Sequence, residues 1–160
     1  MGVDVEFVEF DPETAEPVLA VMAELASTPG GTGWLTLDPA IDDRFPAPQE
    51  NLFGRLVSGR GPAVPRATWV PADTNRRRPE PMSVGILHGT GAGATARLAE
   101  KGAPLPERWR VVSDHSKRGL VAWVPIDIPH DEVLAWTLAA ARALTRIPLT
   151  GRWRAAVHRR

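Results

Sequence analysis

Apolar and polar residues follow two periods along this chain. From Val3 to Phe10 (VDVEFVEF) they alternate, with Val3, Val5 and Phe7 on one side and Asp4 and Glu6 on the other, which is the period of a half-buried strand. Asp11-Pro12-Glu13 then reads as an N-cap, a first helical residue and a first-turn acid. The helix it opens puts Val18, Val21, Met22 and Leu25 on one face and stops before Pro29-Gly30-Gly31. A short strand is expected from Trp34 to Leu37, a helix from Asn51 to Val57 and a strand from Ala67 to Val70. Residues 71–82 (PADTNRRRPEPM) have no apolar periodicity and read as an exposed loop or linker.

The pattern is clearer beyond Met82. Strands are expected at Ser83–His88, Arg108–Asp114, Leu120–Ile126 and Arg152–His158, and helices at Ala94–Lys101 and Pro129–Arg146. The last helix carries Asp131 and Glu132 in its first turn and Arg142 and Arg146 in its last, matching the helix dipole. His115 to Gly119 has the length and composition of a hairpin turn.

The order βαββαβ is the ferredoxin-like arrangement. It makes the fold α+β, with a ferredoxin-like unit over residues 83–160, a β-α-β unit, related or shorter, over residues 1–70 packed against it, and the 71–82 loop between them, or else the whole chain as one domain. In that topology Arg108-Trp109-Arg110 and Arg152-Trp153-Arg154 open edge strands, where charge deters aggregation, and the uncharged runs VGIL and GLVAWV are central.

Composition narrows the class. Of the 160 residues 43% are apolar, enough for a sizeable core, yet no apolar run approaches the roughly 20 residues of a membrane helix. MGVDVEFVEF lacks the order of a signal peptide, so a soluble, cytoplasmic protein without membrane attachment is expected. With no cysteine, disulfides, thiolate metal sites and cysteine nucleophiles are excluded. The four histidines have no ligand spacing, so neither a metal nor another cofactor is implied. Residues 1–50 carry eleven acids against Arg44 alone, a net −10, and residues 51–160 carry eighteen bases against eight acids, a net +10. The two parts either neutralise each other by packing or leave a basic surface for an anionic partner.

The stretch that invites chemistry is SVGILHGTGAGATARLAEKG, residues 83–102. Gly89 to Ala94 satisfies the spacing G-x-G-x-x-A after a strand and before a helix, and the next strand ends in Asp114. A hairpin after Asp114 inserts a strand between the first two, which displaces Asp114 by about 5 Å from where a ribose is held, and only one βαβ unit is present. His88-Gly89-Thr90-Gly91-Ala92-Gly93 also resembles the pyrophosphate loop of GNAT-type acetyltransferases, although His88 stands where that family has Gln or Arg. The resemblance implies acetyl-CoA held by backbone amides at a helix N-terminus.

Topology gathers His88, Thr90, Asp114, His115, Ser116, Lys117 and Arg118 on one rim with that helix start. Gly89, Thr90, Gly91 and Gly93 with Lys117 and Arg118 are the expected anion-binding residues. His88 and His115, with Asp114, are the candidate acid-base groups. Arg118-Gly119 matches the start of an RNA-recognition-motif signature, but Leu120 and Ala122 occupy the positions that should stack bases.

The resulting expectation is a non-catalytic binding or interaction protein for an anionic small molecule or a protein partner, with self-association through the Trp-bearing strands as an option. A small transferase or hydrolase using the glycine loop and the two histidines is the alternative, and nucleic-acid binding ranks third.

Overall fold

A computed structural model describes residues 2–30, 33–42, 44 and 61–160. The elements are β1 (Asp4–Phe10), a 3-10 turn (Pro12–Thr14), α1 (Glu16–Ser27), β2 (Trp34–Ile41), β3 (Arg66–Val70), β4 (Met82–Leu87), α2 (Ala94–Glu100), β5 (Arg110–His115), β6 (Gly119–Val124), α3 (His130–Ala143) and β7 (Leu149–Arg159). The helix expected at Asn51–Val57 lies outside the described residues. Asp11-Pro12-Glu13 belongs to the 3-10 turn rather than to α1, which starts at Glu16 with Pro17 in its first turn, where a missing amide costs nothing.

The strands form one seven-stranded sheet in the order β1-β7-β2-β3-β4-β6-β5, antiparallel at every joint. The fold is therefore mixed α and β, on a larger sheet than a ferredoxin-like unit has. As that arrangement requires, β6 lies between β4 and β5. However, β7 does not return beside β4: it pairs with β1 and β2, and β2 and β3 stand between it and β4. The N-terminal β1-α1-β2 unit thus has its own gap, and β7 fills it.

This corrects the expected edge position of the Arg152-Trp153-Arg154 strand. The charge on it faces the open side of the sheet, so an interior strand tolerates it, and Trp153 faces the helices, 4% exposed.

Register separates the two sides of the sheet. One complete row across all seven strands reads Val8, Ala155, Leu37, Ala67, Ile86, Leu120, Asp114, and it faces the helices. There α1 contributes Val18, Met22 and Leu25, and α3 contributes Val133, Leu134, Leu138, Ala140 and Ala141. The two helices pack on each other, with α3 over β3 and β4. Trp109 closes one end of the core with its ring 4.9 Å from that of Trp136, at 62°.

On β1 the alternation holds but the apolar side is the open one: Phe10 is buried, whereas Val5 and Phe7 are 40% and 60% exposed. Ion pairs join the acidic and basic stretches: Arg159 to Glu6 (2.8 Å) and Glu24 (3.0 Å), Arg66 to Asp38 (2.7 Å), and Arg152 to Asp11 (3.8 Å). Among the described residues no helix is long and apolar enough to cross a membrane.

Candidate functional site

The glycine loop is folded around its own side chains. Gly91 and Gly93 take positive φ (87° and 77°), a conformation open to glycine at little cost. Arg97 reaches back from α2: its guanidinium donates to the carbonyls of Gly91 and Ala92 (2.8 Å to the latter), and its Nε donates to Thr90 Oγ1 (3.2 Å). His88 is 1% exposed. Its Nδ1 accepts from the Thr90 amide (3.3 Å) and lies 2.9 Å from the Thr90 hydroxyl, which places the ring proton on Nε2. Burial, and then the Arg97 charge, push the His88 pKa below the usual imidazole value against the pull of Asp114, so the ring is neutral at neutral pH. His88 Nε2 and Trp69 Nε1 are the buried side-chain atoms without a hydrogen-bond partner among the described residues.

The start of α2 is occupied from within. Asp114 accepts from the amides of Ala94 (3.0 Å) and Thr95 (3.1 Å) and from the Thr95 hydroxyl (3.0 Å). Its place in the helix-facing row, opposite Leu120, puts it there. Burial raises the Asp114 pKa, but these hydrogen bonds and one from the Gly93 amide together hold it below the usual carboxylate range.

The stabilisation from that depressed pKa is present above the unfolded value near pH 4 and is lost as pH falls through the folded value. Asp114→Asn is therefore expected to lower stability by roughly 1–2 kcal/mol at pH 7. Denaturant titrations at a series of pH values should show the gap between wild type and variant closing below pH 4; a gap independent of pH would contradict this role.

Of the other rim residues His115, Lys117 and Arg118 are exposed and Ser116 is half-buried. His115 Nδ1 accepts from the amides of Lys117 (3.0 Å) and Arg118 (3.4 Å), closing the β5–β6 turn, and the side chains of Lys117 and Arg118 project into solvent. The structure thus brings Asp114 to the α2 amides and His88 to Thr90, with no hydrogen bond between His88 and His115 among the described residues. No three His, Asp or Glu side chains among them converge as a metal site would require.

The opposite face of the sheet is different in kind. Its complete row reads Phe7, Ala156, Thr36, Thr68, Gly85, Val121, Ser113. Among the described residues no helix covers it, and Trp123 is 42% exposed there. Arginines lie over its rings: Arg110 is 5.8 Å from the Trp123 centroid, Arg154 5.0 Å from Phe7 and Arg160 5.0 Å from Trp34. Trp34 is also stacked on His158, 4.6 Å between centroids.

In the middle, the missing side chain of Gly85 leaves a shallow concavity of about 280 Å³ bordered by Thr68, Val70, Leu87 and Val121 and by Arg66 and Arg118. Of these arginines only Arg66 has a carboxylate partner; Arg110, Arg118, Arg154 and Arg160 have none among the described residues. The acids on this face are Asp38, paired with Arg66, and Glu9, whereas Glu6, opposite Val157, points to the helix side. Part of the excess of basic residues read from the sequence thus lies on this surface.

Trp109 and Trp153, the tryptophans between arginines, are buried at 6% and 4% exposure, so the rings on the open face are Trp34, Trp123 and Phe7, which the sequence reading did not single out. The signal was the alternation itself: Leu35 and Leu37, Val84 and Ile86, and Leu120 and Ala122 face the helices, so their neighbours Trp34, Gly85 and Trp123 face outward. A larger cleft of about 430 Å³ lies on the helix side between the 3-10 turn, α1 and α3, lined chiefly by apolar residues including Leu19, Leu134, Leu138 and Trp153, with Asp131 and Arg142 at its margin.

No protein-family model matches the chain, and neither the curated proteins nor the solved structures contain a significant match.

Proposed function

We propose that this chain is a non-catalytic binding protein that holds an anionic partner on the uncovered face of its sheet. The observation that carries the reading is the set of four arginines, Arg110, Arg118, Arg154 and Arg160, without carboxylate partners among the described residues, three of them ordered over aromatic rings. A cation not neutralised within the chain is available to an external anion, and several on one surface act together. Arg118 links this face to the rim singled out from sequence, since it borders both the concavity and the β5–β6 turn. The transferase or hydrolase reading has less support, because His88 is 1% exposed and the amides of Ala94 and Thr95 already donate to Asp114.

Arg118→Glu combined with Arg154→Glu tests the reading with fluorescently labelled heparin, a polyanion without bases, at low salt. The wild type should bind, and the double variant should bind at least tenfold more weakly. Both side chains are exposed, so the thermal midpoint should hold within a few degrees. Failure of the wild type to bind any polyanion, or equal binding by the variant, would sink the proposal.

A further inference from the structure

We infer that the anionic partner is a single-stranded nucleic acid, with bases stacking on the exposed rings and phosphates at the arginines; the inference rests on the proposed function above. A free anion or an acidic protein surface needs only the charges. This face adds planar rings beside them, and two of these, Trp123 and Phe7, are 42% and 60% exposed despite the cost of leaving large apolar surface in water. Rings interleaved with cations are the combination by which single strands are held, because every base has a face to stack and every nucleotide a phosphate.

The spacing suits a chain-like ligand rather than a compact one. Phe7 on β1 and Trp123 on β6 are five strand spacings apart, about 24 Å at roughly 4.8 Å each, enough for several nucleotides. Between them Gly85 keeps the surface low, and Thr36 and Thr68 supply hydroxyls in the same row as Phe7 and Gly85. A duplex fits less well, since its bases are stacked on each other and a sheet face presents no element to enter a groove.

The test is fluorescence anisotropy with a labelled 12-nucleotide oligouridine, competed by an RNA duplex, by inorganic polyphosphate and by polyglutamate. The single strand should bind tightest of the four. Its log–log salt slope should be about −3, from four arginines at about −0.7 each. Trp123→Ala should weaken oligouridine about tenfold while leaving polyphosphate unchanged, and Trp123→Phe should restore most of the loss.

Gly85→Val supplies a variant that cannot be dismissed as misfolded. An added Cβ there would meet only Leu120 O and Val121 Cγ2, both at 3.9 Å, so the strand should be as stable or more so while the concavity fills and oligouridine binding falls severalfold. If polyphosphate or the duplex binds as tightly as the single strand, or if Trp123→Ala changes nothing, the inference is overturned while the anionic-partner reading stands. Preference for polyglutamate would point to an acidic protein and overturn it likewise. If no anion binds, both fall together.

Discussion

Gly119→Ala is expected to lower the unfolding free energy by roughly 3 kcal/mol, from strain at positive φ together with overpacking against a neighbouring backbone. Gly119 opens β6 at φ 76°, and a Cβ added to it would run into the carbonyl of Ile86 on β4 and lie 3.1 Å from Leu87 Cα. Neither neighbour is a flexible side chain, so the β4–β6 ladder itself must shift. Gly119→Asn separates the two costs, because asparagine tolerates positive φ but keeps the Cβ; it should recover less than half of the loss. Urea denaturation of both variants checks this, and a loss below about 1 kcal/mol for alanine would show that the close approach of β4 and β6 is not as described. The same turn carries Arg118, so binding of polyanions should weaken with stability.

Trp153→Ala should cost about 4 kcal/mol, in the range of large aromatic truncations in cores. The size of this effect depends on where β7 lies. Between β1 and β2, Trp153 is opposite Phe10 on one side and Pro39 on the other, faces Leu134 and Leu138 of α3, and is 4% exposed. On an edge strand the same residue would keep one flank in water and its loss would be milder. Calorimetry or denaturant unfolding giving less than about 2 kcal/mol would place β7 at an edge after all.

Most strands and helices were legible because their patterns are local. The alternation in WLTL, SVGIL and GLVAWV, the dipole charges of α3, and the composition of the β5–β6 turn each act within a few residues. Which strands become neighbours is not local in this way. The pairing of β1 with β7 joins the two ends of the described chain, and no residue near either strand announces it. Charge misled for a physical reason: arginine on a strand signals contact with water, and water reaches the open face of an interior strand as readily as an edge.

The candidate site was legible in part. The strand-loop-helix order around His88, the glycine loop and Asp114 could be read locally, but whether Asp114 would face a ligand or the α2 amides depended on the β5–β6 register, where pairing shifts between Val111 and Ser113. The burial of His88 depended on the segment at Gly61 and Pro62, whose carbonyls lie against Gly89.

The insertion of β7 between β1 and β2 also sets an order of events. Until residues 149–159 have been made, β1 has no partner strand and β2 lacks one of its two neighbours. A nascent chain can assemble β2 to β6 through the connections at residues 42–65 and 71–81, one helical crossover and the tight β5–β6 turn, with β1 waiting as an unpaired acidic segment. Because contacts so distant in sequence carry the loop-closure entropy of nearly the whole chain, their formation sets the pace of folding. The acidic residues of β1 then have a second consequence: mutual repulsion keeps the waiting strands of different chains from pairing with one another.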